Sequence, residues 1–402
     1  MNSTKLYNIG KLVSYDSMMK KMISIEKAEI VLEDNIIVAV GRDLNDADNA
    51  HDCNGMLVTP GFVDPHTHPV FLRPRNDEFM MRLNGASYED INSSGGGILN
   101  SINDVRNAKK NELVSVLKNR MDQFLNLGTT TIECKSGYGL STDSELKSLK
   151  VIEDVNKIHD IDMIPTFMGA HSIPLEYKSN PESYIDLICN EMIPEVKKQG
   201  IAIFNDVFCE EGFFNENQSI KILNCGKKHG LIPRIHADEF KNSNAAKVAF
   251  KTKSISADHL MAVSDEGLSY LHASATIATL LPGTTFFLGK NSYAPYKKIK
   301  DAGIEVALAT DFNPGSCFIK SIPFIMSLAC LYLKMPILDA LKAVTHVSAK
   351  SLRVDNKVGS IEKNMIADIL IWNIKSVEEI VTKIPNPTIS QIIKNGKFIF
   401  RS

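Results

Sequence analysis

Residues 59–68 read Thr-Pro-Gly-Phe-Val-Asp-Pro-His-Thr-His, and the fold of the whole chain can be worked out from this stretch. Alternate side chains of an extended strand point to the same face, so His66 and His68 are expected to present two imidazole rings side by side. Imidazole is a common ligand of zinc and iron. The apolar run 56–58 leads into the stretch, which predicts a buried strand whose carboxyl end carries both histidines.

Strand-like apolar runs alternate with helical segments through the middle of the chain. Seven strand candidates follow the first one, at Gly128–Cys134, Met163–Met168, Ile201–Phe208, Leu231–Ile235, Ile255–Ala257, Ala275–Leu281 and Val306–Ala309. The helices predicted between them include Asp143–Lys157, Ser183–Lys198 and Ser219–His229. Eight strands in such an alternation favour an α/β fold of the closed (β/α)8 TIM-barrel type over an open sheet.

The two ends of the chain show a different sequence pattern, which predicts short strands separated by turns. The sequence predicts a hairpin turn at Glu33-Asp34-Asn35 within residues 1–57 and another turn at Asn395-Gly396 within residues 357–402. Neither end is large enough to form a good core alone, so we expect them to pair into one small β-sandwich domain. Residues 58–356 would then form the barrel domain.

Composition excludes several classes of function. The 402 residues include 45 Lys and Arg and 47 Asp and Glu, well mixed, for a net charge of −2. No basic tract points to nucleic acid, and no polybasic helix or long apolar run points to a membrane. The seven cysteines are scattered, without a Cys-x-x-Cys pair, which is typical of a reducing compartment. We therefore expect a cytoplasmic protein that acts on a small molecule.

Many of the apolar runs end in an ionisable residue. Barrel enzymes carry their catalytic groups at the carboxyl ends of the strands, and periodicity alone does not predict so many ionisable groups there. These residues are His66, His68, Glu133, Lys135, His171, Glu210, Glu211, His236, His259 and Asp311.

Four of these residues form a plausible metal-ligand set. His66, His68, His236 and Asp311 supply three imidazoles and one carboxylate, enough for a single Zn²⁺ or iron ion (Fe²⁺ or Fe³⁺) with a position left for water. Such an ion lowers the pKa of its water toward about 7. Asp311 could also take the proton of that water, and His259 could polarise the carbonyl under attack. Both are therefore predicted to be catalytic.

Several longer motifs are similar to those of the imidazolonepropionase family in the amidohydrolase superfamily. They are Phe71–Phe79, Arg82–Tyr88, Gly95–Ile98, Lys135–Leu140 and Asp311–Ser316, and the resemblance covers nearly the whole chain. The resemblance implies hydrolysis of 4-imidazolone-5-propanoate to N-formimidoyl-L-glutamate in histidine degradation, with one zinc or iron ion on the four ligands above. It also implies a homodimer. In two-metal amidohydrolases a carboxylated lysine on a middle strand bridges the ions, but Lys135 ends the second strand, where that role is not expected.

The same resemblance implies a set of substrate contacts. They are Arg75, Tyr138, His171, Glu239, Asn313, Gly315 and Ser316. Arg75 offers a planar donor fork that suits the propionate carboxylate, and Arg73 is a second candidate for that role. Glu239 lies three residues beyond His236, close enough to pass a proton to the departing ring nitrogen, so it is predicted to be catalytic as well.

Two other interpretations stay open. The first is a different cyclic amidase or aminohydrolase of the same superfamily, acting on another small carboxylate-bearing heterocycle. It would share the metal ligands but not the loops that hold the tail. The second is a barrel retained as a binding or assembly module, which the presence of all four ligands together with His259 disfavours. The sequence does not choose between zinc and iron, since imidazole and carboxylate suit both.

Overall fold

Two eight-stranded sheets organise the computed structural model, which describes residues 3–86, 96–385 and 388–399. The strands are, in chain order, β1 Ser3–Asp16, β2 Lys21–Glu33, β3 Ile36–Gly41, β4 Asn49–Asp52, β5 Leu57–Pro60, β6 Phe62–Asp64, β7 Thr129–Lys135, β8 Asp162–Ala170, β9 Phe204–Cys209, β10 Ile232–Ala237, β11 Ser256–His259, β12 Ile277–Leu280, β13 Val306–Leu308, β14 Ile369–Trp372, β15 Ile389–Lys394 and β16 Lys397–Ile399. Parts of the Arg82–Tyr88 and Gly95–Ile98 motifs lie outside the described residues.

Strands β6 to β13 form one parallel sheet in chain order, each strand beside the next. All eight barrel strands predicted from the sequence are present, with ends that shift by a few residues. They could be predicted because the strands of a parallel sheet are buried on both faces and read as continuous apolar runs. The predicted α/β fold, a (β/α)8 barrel of the TIM type, is confirmed.

The barrel closes through the segments that follow its first and last strands. In the described part of the chain no strand ladder joins β13 to β6. Instead, the amide of Asp311 donates to the carbonyl of His66 (3.1 Å), and the amide of His68 donates to the carbonyl of Phe312 (2.8 Å). The residues that complete the barrel are therefore also the predicted metal ligands.

Helices lie between most of the barrel strands, and their apolar faces share one core with the sheet. They span Asn76–Leu83, Ile98–Asn107, Lys110–Asn126, Thr142–Asn156, Pro181–Leu187, Ile193–Gln199, Glu216–Lys228, Ala245–Thr252, Asp265–Ser274, Pro282–Phe287, Tyr296–Asp301, Ile322–Tyr332, Ile337–Ala343, His346–Ser351 and Glu378–Thr382, with a 3₁₀ turn at Leu175–Tyr177 and a π-helical turn at Ile188–Met192. None of the helices in the described ranges has the length and hydropathy that a bilayer crossing requires.

One predicted helix differs from the structure. The single helix predicted over Ser183–Lys198 is divided by the π-helical turn, which precedes the helix that carries Pro194 in its first turn. Proline lacks the amide hydrogen that a continuous α-helix would use there, so the widened turn accommodates it. Pro282, by contrast, begins a helix, because proline is well tolerated in a first helical turn.

The stretch 59–68 is divided between the two sheets, so the prediction of one continuous strand through it is wrong. β5 pairs with β1 and β14 of the other sheet, whereas β6 pairs with β7 of the barrel. The change occurs at Gly61, where a Cβ atom would lie 2.4 Å from the Thr130 Oγ1 atom. Only glycine lets the backbone pass that close to the neighbouring strand.

The second sheet is built from both ends of the chain, as expected. Its order is β16-β15-β14-β5-β1-β2-β3, with β4 paired to β1. Side chains from the two ends, including Leu12, Ile30 and Ile369, pack in one shared core. Neither end would bury these apolar groups alone, which explains why they associate. The domain boundaries at residues 57/58 and 356/357 stay predictions.

An ion triad ties this terminal sheet to the barrel. The Lys394 ammonium on β15 donates to Asp368 Oδ2 (2.7 Å) and to Asp162 Oδ2 (2.6 Å), and Asp162 begins β8. Lys394 and Asp368 are both buried. Burial lowers the pKa of Lys394, but the two carboxylates outweigh that effect and raise it, so the side chain stays charged.

Replacement of Lys394 by Met should lower the free energy of unfolding by about 3 kcal/mol, since it leaves the buried Asp368 without its cation. Chemical denaturation of the purified protein measures the change. Lys397→Met is the matched control, because Lys397 is exposed on the adjacent strand. Equal stability of the two variants would contradict a supporting role for the triad.

Candidate metal and active site

Four ligand atoms converge at the carboxyl end of the barrel. His236 lies on β10, His66 and His68 follow β6, and Asp311 follows β13. The His68 Nε2 atom is 3.3 Å from the Nε2 atom of His66 and 3.2 Å from that of His236. Asp311 Oδ1 lies 3.6 Å from His66 Nε2 and 3.5 Å from His68 Nε2. The structure thus brings together all four residues that the sequence predicted as metal ligands.

Two carboxylates fix which nitrogen of each ring faces the cluster. His66 Nδ1 lies 2.7 Å from Asp258 Oδ2, and His236 Nδ1 lies 3.1 Å from Asp206 Oδ1. A carboxylate accepts hydrogen bonds, so each Nδ1 carries the hydrogen and each Nε2 keeps its lone pair. The lone pairs consequently point toward the same small volume.

This donor set fits a divalent metal ion. Lone pairs and a carboxylate oxygen at 3.2–3.6 Å repel one another unless a cation lies among them. Burial, together with Lys135 near His66 and His171 near His68, lowers the pKa of both rings well below the ordinary value, so they stay neutral as ligands must. Zinc and iron both accept three imidazoles and one carboxylate.

A buried ion network lies beneath the cluster. Lys135 Nζ donates to Glu133 Oε1 (2.6 Å) and to Asp206 Oδ2 (2.7 Å). The Arg234 guanidinium lies 3.5 Å from Asp258 Oδ2 and 3.6 Å from Glu133 Oε1. All five side chains are buried. The two cations therefore neutralise the same carboxylates that orient the histidines.

The network determines charge states as well as positions. Burial would raise the pKa of Asp206, but Lys135 and His236 outweigh it and hold that pKa well below the usual range. Burial would lower the pKa of Lys135, but Asp206 and Glu133 raise it instead. Lys135 is a paired ammonium, which is not the carboxylated lysine of a two-metal bridge.

Asp311 is held by its neighbours in an unusual conformation. Its φ angle is +53°, in the left-handed region, and Thr284 Oγ1 donates to its Oδ2 atom (2.5 Å). Thr284 belongs to the helix that begins at Pro282. Burial raises the pKa of Asp311 to about 6 in the absence of a cation. One oxygen thus faces the histidines while the other accepts from a hydroxyl group.

His259 and Glu239 lie together at one side of the cluster. His259 Nε2 is 3.6 Å from Glu239 Oε2, and His259 has a φ angle of +81°. Burial and His236 lower the pKa of His259 well below its usual value, whereas burial and Asp311 raise the pKa of Glu239 well above its own. Glu210 supports this side by accepting from the Phe240 amide (2.9 Å).

His171 and Tyr138 form the opposite side. His171 stacks on His68 with ring centroids 5.0 Å apart, and its Nδ1 atom donates to the Gly137 carbonyl (2.9 Å). The turn that carries Tyr138 is fixed by the buried Glu145, whose oxygens accept from the amides of residues 137, 139 and 140, each at 2.9 Å. His171 Nε2 is therefore the ring nitrogen left for a ligand.

The far end of the pocket is positively charged. Arg75 pairs with Glu78 through Nε (3.0 Å), and a Cβ atom at Gly315 would lie 1.8 Å from the Arg75 guanidinium. Asn313 Oδ1 accepts from the amides of Gly315 (2.9 Å) and Ser316 (2.7 Å), which fixes this loop. The glycine at position 315 is what allows the guanidinium to lie against the loop.

Arg73 lies outside this region. Its side chain is 73% exposed and pairs with Asp104. Arg75 lines the pocket, whereas Arg73 is not among the described residues that line it.

One pocket of the described chain collects the predicted residues. His68, His236 and Asp311 line it together with Arg75, Tyr138, His171, Glu239, His259, Asn313, Gly315 and Ser316. The sequence did not assign a role to Asp206, Asp258, Glu145 or Thr284. A charged residue within the apolar run Phe204–Cys209 was the available signal for Asp206, whereas Thr284 carried none.

The chain is similar to known proteins over nearly its whole length. A family model described as the amidohydrolase family matches residues 57–399. The chain is 44% identical over 390 residues to the imidazolonepropionase of Brevibacillus brevis, covering 95% of this chain and 92% of that protein. It is 40% identical over 397 residues to the imidazolonepropionase of Thermoanaerobacter pseudethanolicus, covering 98% and 95%.

Solved structures resemble the fold at much lower identity. An atrazine chlorohydrolase from Arthrobacter aurescens complexed with zinc has a TM-score of 0.71 and 16% identity, covering 99% of this chain and 95% of that one. An adenosine deaminase from Xanthomonas campestris with bound zinc has a TM-score of 0.72 and 14% identity, covering 99% and 92%. At these identities the likeness shows the fold alone.

Replacement of Lys135 by Met should weaken metal binding by about 10- to 100-fold, because Asp206 loses the cation that holds it against His236. Competition with a fluorescent chelator measures zinc affinity directly, and circular dichroism reports whether the variant folds. Lys157→Met, at an exposed position, is the control. A folded Lys135→Met variant with wild-type zinc affinity would contradict the role of the network.

Proposed function

The chain belongs to the amidohydrolase family and, within it, to the imidazolonepropionases, and on that premise we propose that it hydrolyses 4-imidazolone-5-propanoate to N-formimidoyl-L-glutamate, a step of histidine degradation. The observation that carries the proposal is one pocket lined both by His68, His236 and Asp311 of the ligand cluster and by the Arg75 guanidinium. The substrate has the matching polarity, a ring carbonyl at one end and a carboxylate at the other.

The reaction adds water across one ring bond. The water oxygen bonds to the ring carbonyl carbon, the adjacent C–N bond breaks, and the departing nitrogen takes a proton. A divalent ion held by His66, His68, His236 and Asp311 would supply Lewis acidity that lowers the pKa of water toward about 7. Zinc and iron both suit this site.

The side chains around the cluster supply the proton transfers. Asp311, whose Oδ1 atom lies against His66 and His68, can accept the proton of the attacking water. His259 is neutral and can donate a hydrogen bond to the carbonyl oxygen as charge develops there. Glu239 holds a proton because burial raises its pKa, and it can deliver that proton to the departing nitrogen.

The remaining contacts orient the substrate. His171 and Tyr138 flank the ring on the side of His68, and Arg75 meets the carboxylate with the Asn313–Ser316 loop beside it. Holding both ends of a small substrate fixes its carbonyl relative to the attacking water, which removes much of the entropic part of the barrier. The homodimer and the cytoplasmic location are part of the proposal, and besides a second copy of the chain the only partner it requires is the small-molecule substrate.

The purified protein should convert 4-imidazolone-5-propanoate to N-formimidoyl-L-glutamate and lose that activity when a chelator removes its metal. Mass spectrometry of the product and metal analysis before and after chelation measure both effects. Addition of zinc or Fe²⁺ to the chelated protein should restore turnover. A metal-loaded protein with no turnover would reject this substrate.

Arg75→Gln separates this function from the alternative of another cyclic amidase or aminohydrolase in the same superfamily. The loss of the guanidinium should reduce kcat/KM for the propionate substrate by about 100-fold, as expected for a charged hydrogen-bond partner. Steady-state kinetics with Arg73→Gln as the matched control provide the comparison, since Arg73 is exposed. Unchanged turnover in Arg75→Gln would favour the alternative.

A further inference from the structure

A second guanidinium lies at the charged end of the pocket, on the helix Asn76–Leu83. Arg82 is half-buried and lines the pocket, and its NH2 group donates to the Gly315 carbonyl (3.0 Å). Gly315 also lies against the Arg75 guanidinium. The two arginines therefore meet the same residue of the loop from two directions.

The charge of Arg75 is already partly balanced by a carboxylate. Its Nε atom lies 3.0 Å from Glu78 Oε2, and Glu78 is buried. Arg82 forms no ion pair with a carboxylate among the described residues, and the nearby Glu78 does not outweigh the burial that lowers the pKa of Arg82. Among the residues that the structure describes here, two arginines and one glutamate give one net positive charge, which matches a ligand that carries a single carboxylate. Without Arg82 the local charge would be zero.

The loop also connects this charge to the metal cluster. Asn313 Nδ2 donates to the carbonyl of Asp311 (2.7 Å), and Asn313 Oδ1 accepts from the Gly315 amide (2.9 Å). The Arg75 amide donates to the Pro314 carbonyl (2.8 Å). A ligand group held by both arginines would consequently lie at a fixed distance from Asp311.

We propose that Arg82 is a second carboxylate-binding residue and sets the specificity of this pocket for substrates with an anionic tail. The proposal rests on the proposed function for the identity of the reaction but not for the chemistry of the tail. Arg82 supplies the unbalanced charge, Arg75 supplies the fixed donor fork held by Glu78, and Gly315 keeps the two guanidiniums together. Four bonds separate the ring carbonyl carbon of the substrate from its carboxylate carbon. The pocket can therefore hold the ring and the carboxylate at the same time.

The experiment measures binding separately from turnover. Imidazole-4-propanoate has the same tail and no ring carbonyl to hydrolyse, and imidazole-4-propanamide is its uncharged counterpart. Calorimetric titration of both probes into metal-loaded wild type, Arg82→Gln and Arg82→Lys gives six dissociation constants. Arg82→Gln should weaken binding of the propanoate by about 10- to 100-fold and leave the propanamide within about threefold. Arg82→Lys, which keeps the charge, should retain most of the affinity for the propanoate.

A compensating variant tests whether charge is the cause. Glu78→Gln combined with Arg82→Gln restores one net positive charge and should recover part of the lost affinity for the propanoate. Glutamine keeps an oxygen that can accept from the Gly97 amide, a bond that Glu78 makes at 2.7 Å. Arg73→Gln is the matched control, because Arg73 is exposed and paired with Asp104.

The outcomes separate this proposal from the proposed function. Equal loss of both probes in Arg82→Gln would mean a structural role and would overturn the proposal, as would unchanged binding of the propanoate. Failure of the wild type to hydrolyse 4-imidazolone-5-propanoate would reject the proposed function. If the probes still showed the expected charge dependence in that case, the assignment of Arg82 would stand.

Discussion

The ion network around Lys135 is the constraint on which the rest of the structure depends. Removing charged groups from water is costly unless each finds a partner of opposite charge. Here Lys135 and Arg234 are matched with Glu133, Asp206 and Asp258, all inside the barrel. These cations hold Asp258 and Asp206 in place, where they accept from the Nδ1 atoms of His66 and His236 and leave the Nε2 lone pairs for a metal ion.

The barrel and the site form as one unit. The sheet has no ladder between β13 and β6 in the described chain, and the backbone bonds of His66, His68 and Asp311 complete it. A metal ion on these side chains would strengthen the same junction, because it binds the folded state and not the unfolded chain. The stability of the barrel therefore depends on whether a metal ion occupies this site.

Much of this arrangement could be predicted from residue order, and the part that could not has a physical explanation. Apolar runs ending in His236 or Asp311 identify barrel strands and ligands together, since parallel strands are buried on both faces and carry their functional groups at one end. The division of residues 59–68 between two sheets was not predicted, because β5 and β6 are both buried and the close approach of Gly61 to Thr130 has no signal in the sequence. Thr284 was missed because its role depends on the distance between separate elements. Arg73 and Arg75 look alike in sequence, and only packing against Glu78 and Gly315 distinguishes them.

Anomalous X-ray scattering from crystals of the purified protein, recorded at the zinc and iron absorption edges, tests the central claim most directly. The account predicts one peak, within about 2.0–2.3 Å of the Nε2 atoms of His66, His68 and His236 and of an Asp311 oxygen. It also predicts that Lys135 remains paired with Asp206 beneath that ion. A second peak between Asp206 and Asp258, or a fully loaded ion bound away from the four ligands, would contradict it.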